Sequence, residues 1–128
     1  MDSKTLTALK ASIKHWRENE AALSTDNASI GSRSCALCHM FQTDRMDTCK
    51  GCPVSEATGN AFCEGSPYEE ASEAYKYWFE VEDWDWTMWS DSYWLTSTSH
   101  KFIEHWRARE EFLLAARDER QFLESLLP

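Results

Sequence analysis

The sequence predicts a mainly α-helical protein: three long helices packed as a small bundle, with a cysteine-rich, metal-stabilised loop insert between the first and second. Three observations predict it. Apolar residues recur at three- and four-residue steps towards both ends of the chain. Gly (4) and Pro (3) are scarce in 128 residues, which leaves few turns. All five cysteines fall in one stretch, as Cys35-x2-Cys38-x10-Cys49-x2-Cys52-x10-Cys63. A chain of 128 residues suits a single domain, residues 1–128, with a modest core.

Residues 3–24 read as an amphipathic helix. Leu6, Leu9, Ile13, Trp16 and Leu23 form its stripe, Asp2 or Ser3 can cap its start, and Ser24-Thr25-Asp26-Asn27 supplies turn chemistry after it. Residues 32–66 hold the cysteines and have no sustained apolar period. They are too many for a bare loop in a compact domain, so a metal is the expected cross-link. Residues 67–96 are an acidic, aromatic helix and loop. Ser66-Pro67-Tyr68-Glu69 carries a cap, a proline for the first turn and the elements of a capping box. The helix continues through Ala71, Ala74, Tyr75, Trp78 and Val81 to about residue 82 or beyond. From 83 to 96 the aromatics fit either a strand or a helix. Residues 98–127 form a last helix, started by Thr98 or Ser99, with Phe102, Trp106, Leu113, Ala116, Leu123 and Leu127 as its stripe. Pairs such as Arg107 and Glu111 fall on its wet side.

One segment echoes another. Ile13-Lys14-His15-Trp16-Arg17 matches Ile103-Glu104-His105-Trp106-Arg107. The simple reading is two antiparallel helices that use Ile and Trp as knobs. The sharper one pairs His15 with His105 in a site.

Composition excludes several function classes. The formal charge of -9 disfavours direct nucleic-acid binding, which needs a cationic face. No apolar run is long enough to span a bilayer, and the N-terminus has no signal-peptide pattern, so a cytoplasmic protein is expected. Clustered cysteines in that compartment are more often metal ligands than disulfides.

Two CxxC pairs suit zinc, because each turn offers two corners of a tetrahedron. Cys35, Cys38, Cys49 and Cys52 make the minimal shell, and Gly51 lets the second turn bend. Cys63 either replaces one of the four, stays a free buried thiol, or serves a different cofactor; His39 can also substitute. An iron–sulfur cluster competes with zinc, since Cys52-Pro53 matches the Cys-Pro that closes many cluster motifs. A hydrolytic metal would need an open position and a base drawn from His39, Glu64 or His15. The chain has no nucleophile elbow, phosphate-binding Gly loop or His-Glu zinc helix, so no catalytic residues are assigned.

From Glu69 to Asp91 there are eight acids and one base, and ten aromatics lie between Tyr68 and Trp94. Most of these rings fill a core. Trp84, Trp86 and Trp89 are the surplus. With Asp83 and Asp85 beside them they read as a partner-binding surface for a basic protein. A basic protein that grips nucleic acid fits, with this surface as a decoy.

The first 70 or so residues resemble a group of short bacteriophage and prophage proteins without an assigned function. Ser12-Ile13-Lys14-His15-Trp16, Cys35-Ala36-Leu37-Cys38, Cys49-Lys50-Gly51-Cys52-Pro53-Val54 and Cys63-Glu64-Gly65-Ser66-Pro67-Tyr68 carry the likeness. It implies a role for all five cysteines, a bacterial host cytoplasm as location, and a small inhibitor of a host defence or nucleic-acid-handling protein as function. The alternative is an iron–sulfur redox or sensor protein. The oligomeric state is not specified by the sequence.

Overall fold

A computed structural model describes residues 1–42, 48–83 and 94–128, with side chains in the last segment from residue 102 onwards. Three helices longer than two turns carry the fold: α1 (Ser3–Glu20), α4 (Tyr68–Asp83) and α5 (Trp94–Ser125). Two short ones, α2 (Ala36–Phe41) and α3 (Pro53–Thr58), lie in the cysteine segment. The protein is mainly helical, and the described residues contain no strand.

Asp2 starts α1: its Oδ1 accepts the Thr5 amide at 2.7 Å. Leu9, Ile13 and Trp16 are buried, as their spacing predicts. The helix stops at Glu20 rather than 24, and Leu23 lies outside the stripe, exposed. The reason is Asn19. Its buried side-chain amide donates to Ser29 O at 3.0 Å and its Oδ1 accepts the Ser29 amide at 3.1 Å. These bonds fold residues 21–30 back over the helix end and satisfy a polar group that burial would otherwise penalise.

At the start of α4 the Ser66 hydroxyl accepts the Tyr68 amide at 3.3 Å. The expected capping box with Glu69 does not close, because the Ser66 amide and hydroxyl both donate to Cys63 O, at 3.2 and 2.8 Å. The cap therefore ties α4 to the last cysteine.

α5 packs against both α1 and α4, while α2 packs on α1. At 32 residues it is roughly 48 Å long. Its start at Trp94 precedes the expected Thr98, so the Ser/Thr run after Leu95 lies inside the helix. Trp78 and Phe112 meet at the α4–α5 seam with ring centroids 5.5 Å apart, and Tyr75 stands edge-on to Phe112 at 5.7 Å. The Trp78 indole N–H finds no acceptor among the described residues.

The inward face of α5 keeps only part of the expected stripe. Ala116 and Leu123 are buried and Leu113 packs partly against the core, but Ala108, Phe112, Ala115 and Glu119 join them, whereas Phe102 is 73% exposed, Trp106 57% and Leu127 36%. Three alanines let α5 approach its neighbours closely, and the larger Phe102, Ile103 and Trp106 turn outward. Arg107 accordingly pairs with Glu104, at 3.7 Å, rather than with Glu111.

α1 and α5 run antiparallel, as the echo predicts. Arg120 bonds Glu20 at 2.5 Å and Glu124 at 3.1 Å, and Arg17 reaches Glu124 at 2.8 Å. This partly exposed network fixes register more than it stabilises. The two histidines do not pair. His15 Nε2 lies 2.9 Å from Ser29 O, and His105 Nε2 3.3 Å from Glu82 Oε1. Arg17, two residues from His15, pairs with Glu124, and that residue is roughly 28 Å along α5 from His105. Of the two knobs in each copy, Ile13 and Trp16 are buried and Ile103 and Trp106 are not.

Phe112→Ala should cost about 3–5 kcal/mol in chemical denaturation, because the ring is fully buried between Trp78 and Tyr75. Phe102→Ala, on the outer face, should stay within about 0.5 kcal/mol. Equal costs would refute this assignment of inner and outer faces.

Candidate metal centre

The local chain turns each cysteine towards one place. Cys35 precedes α2, with Cys38 one turn later. Cys49 and Cys52 bracket a tight turn in which the Cys52 amide donates to Cys49 O at 3.0 Å. Gly51 makes this turn possible: its φ is +85°, and a Cβ there would stand 3.4 Å from the Phe41 ring. Cys52 then leads into α3, with Pro53 in the first turn as its fixed φ favours. Cys63 sits in a turn where it and Phe62 both have positive φ, 62° and 58°; Cys49 does too, at 66°. Three non-glycine residues in the left-handed region, two of them cysteines, mark a segment held by its surroundings.

All five cysteines line one cavity of about 190 Å³. Ser12 and Trp16 of α1, Tyr68 of α4, and Glu119 and Leu123 of α5 complete its wall. Donors face the sulfurs. The Phe62 amide donates to Cys49 Sγ at 3.4 Å, and Ser12 Oγ lies 3.8 Å from Cys35 Sγ.

The electrostatics follow from this crowding. The Cys38 thiol, bonded to Cys35, pulls the Cys35 thiol below its ordinary range; nearby amides and the Ser12 hydroxyl help, while burial opposes. Cys38 is pushed up by the same bond, by burial, and by the charge of Cys35. Burial also raises Cys52, against the favourable amides of Ser55 and Val54. Cys63 is pushed up to about 12, first by burial and then by Cys35, Glu119 and the other sulfurs. Burial and then Cys35 push Glu119 up to about 8, although the Tyr68 amide bonds it. Each anion in the cavity thus raises the cost of the next. A bound cation reverses that relation, since thiolates are the form a metal takes.

The donors fit a thiophilic ion in kind and share one cavity. No three Cys, His, Asp or Glu side chains among the described residues are drawn together into a ready ligand group. His39 points elsewhere, with Nε2 2.8 Å from Arg33 O on the surface. Glu64 is exposed, and His15 is engaged by Ser29, so the three bases a hydrolytic metal would need do not converge. Of the expected partner-binding residues, Asp83 is exposed at the end of α4, and Trp84, Asp85, Trp86 and Trp89 lie outside the described residues.

Two residues escaped the sequence reading. Ser12 falls on the apolar face of α1 but is too small to signal itself. Glu119 interrupts the true inward register of α5, between Ala116 and Leu123; it becomes visible only once the inward face is known. No protein-family model, curated protein or solved structure matches the chain.

Glu119 gives a pH dependence with a definite sign. Its folded pKa lies above its unfolded one, so between about 4.5 and about 8 the unfolded chain releases a proton that the fold retains. Stability of chelator-treated protein therefore falls through this window because of Glu119. Glu119→Gln removes that term. Denaturation across this range should show the variant gaining on the parent as pH rises, towards an upper limit on the order of 5 kcal/mol. A difference that stays constant with pH would refute the assignment.

Proposed function

We propose that this chain is a small metal-stabilised interaction protein. Zinc is the structural ion, held by thiolates from among Cys35, Cys38, Cys49, Cys52 and Cys63, and the partner is a basic protein. The observation that carries the metal part is the shared cavity: five thiols from three separate turns, with N–H groups aimed at sulfur, in a segment otherwise poor in apolar burial. A closed structural site of this kind links α1 to the start of α4 and supplies folding free energy when the ion binds.

The partner part draws on charge and on exposed rings. Phe102, Ile103, Trp106 and Leu114 form an outward apolar strip on α5, with Glu110, Glu111 and Arg107 beside it. Exposed Trp in an acidic setting suits a basic partner, with the apolar centre giving affinity and the acids a faster encounter. Asp83, Asp85, Trp84, Trp86 and Trp89 extend the same chemistry in the sequence. The likeness to phage proteins makes a host defence or nucleic-acid-handling protein the natural target, in the bacterial cytoplasm, with no direct contact to nucleic acid or membrane. Among the described residues no helix is long and apolar enough to cross a membrane.

An iron–sulfur cluster is the second reading, favoured by cavity size. At about 190 Å³ the space exceeds the roughly 30 Å³ share of one water several-fold, and there is a sulfur beyond the four a single ion takes.

Elemental analysis with native mass before and after chelation should give one bound zinc per chain and a colourless solution. A brown anaerobic preparation containing iron would replace zinc with the cluster, and fully folded, ion-free protein would end the metal reading. For the partner, immobilised protein should retain a basic protein from bacterial lysate at about 0.1 M salt and release it towards 1 M, as the Debye length falls from about 10 to about 3 Å. The double variant Phe102→Ala, Trp106→Ala should retain at least about tenfold less, the loss of one hot spot. Equal retention by parent and variant would remove the α5 strip from the interface.

A further inference from the structure

Glu119 occupies a place where its neighbours on α5 demand an apolar residue. Ala115, Ala116 and Leu123 flank it on the buried face, and the residue itself is only 2% exposed. Its carboxyl receives the Tyr68 amide, while Oε2 is buried with no hydrogen-bond partner among the described residues. None of the described ion pairs involves it; the nearby arginine, Arg120, is bound to Glu20 and Glu124. A buried carboxyl with a free oxygen leaves a hydrogen bond unmade when it is protonated and a charge unpaired when it is ionised, so it is costly in either form. Leu would fill the same space without that cost.

The surroundings show what would satisfy it. Glu119 lies in the wall of the cysteine cavity, close enough to Cys35 and Cys63 for their charges to act on one another. Those neighbours are acids, so none of them can serve as its counter-charge. The group that thiolates and a carboxylate hold in common is a cation, and zinc takes oxygen from Asp or Glu as well as sulfur from Cys.

Building on the metal-centre reading above, we infer that Glu119 is itself a ligand. The shell then consists of three cysteine sulfurs and one Glu119 oxygen, not four sulfurs. The remaining cysteines stay protonated in the cavity wall, where burial favours the thiol. The ion so held joins the cysteine segment to α5 across a long stretch of sequence, and one helix of the bundle becomes part of the metal site.

X-ray absorption at the edge of the metal in the intact, loaded protein tests this without any variant. One oxygen at about 2.0 Å beside three sulfurs at about 2.3 Å is expected. The same spectrum of Glu119→Ala should lose the oxygen, with metal affinity lowered at least about tenfold, since even groups behind the ligands cost that much. Glu119→Cys should recover affinity with a fourth sulfur. His39→Ala should keep the light-atom shell. An all-sulfur shell in the parent, or a light shell lost with His39 rather than with Glu119, would overturn the inference and leave the metal reading intact. Absence of any bound metal would overturn both.

Discussion

Acidic groups crowded into one small cavity are the constraint around which this molecule is arranged. Five thiols and one carboxyl line a single cavity, and each one that ionises makes the next harder to ionise. Every part of the chain takes a side in that conflict. α1 offers Ser12, the turn after Cys52 offers amides, Phe62 adopts left-handed backbone to aim its N–H at Cys49, and α5 adds Glu119. The backbone strain at Cys49, Phe62 and Cys63 makes sense in the same terms, because it holds sulfurs inward where apolar packing alone would have left them free.

Much of the fold is legible in the sequence because its signals are local. The Asp2 cap, the Leu9–Ile13–Trp16 stripe and the Ser66 start of α4 depend on neighbours within a turn or two. The grouping of the cysteines is legible for the same reason, since a CxxC turn sets its own geometry. The rotation of α5 is not. Its inward face rests on Ala108, Ala115 and Ala116, whose value lies in allowing close approach, while hydropathy favours the larger residues that face outward. Once the register is taken from Phe102 and Trp106, Glu119 looks like one more solvated charge. Only a partner far away in the chain reveals that it is buried. The end of α1 fails to announce itself in a similar way, because Asn19 stops being a helix residue in function when it reaches Ser29.

The bundle and the cavity are not separate devices. Trp16 lies in the wall of the cavity and packs edge-on against Tyr68, at 6.1 Å between centroids, and Tyr68 and Glu119 share that wall. Core packing and sulfur chemistry thus share residues. The outer strip of α5 stands on the opposite side of the same helix. One helix thus carries a buried carboxyl on its inner face and exposed rings on its outer face.

The cavity wall drawn from α5 also sets an order of events in the cell. During synthesis, Cys35 to Cys63 leave the ribosome well before Glu119 and Leu123, since translation is vectorial. The thiols thus meet the solution while one side of their chamber is still missing. When α5 docks, Glu119 and Leu123 complete that wall, and Cys35, Cys38 and Cys63 stay partly open to the solution.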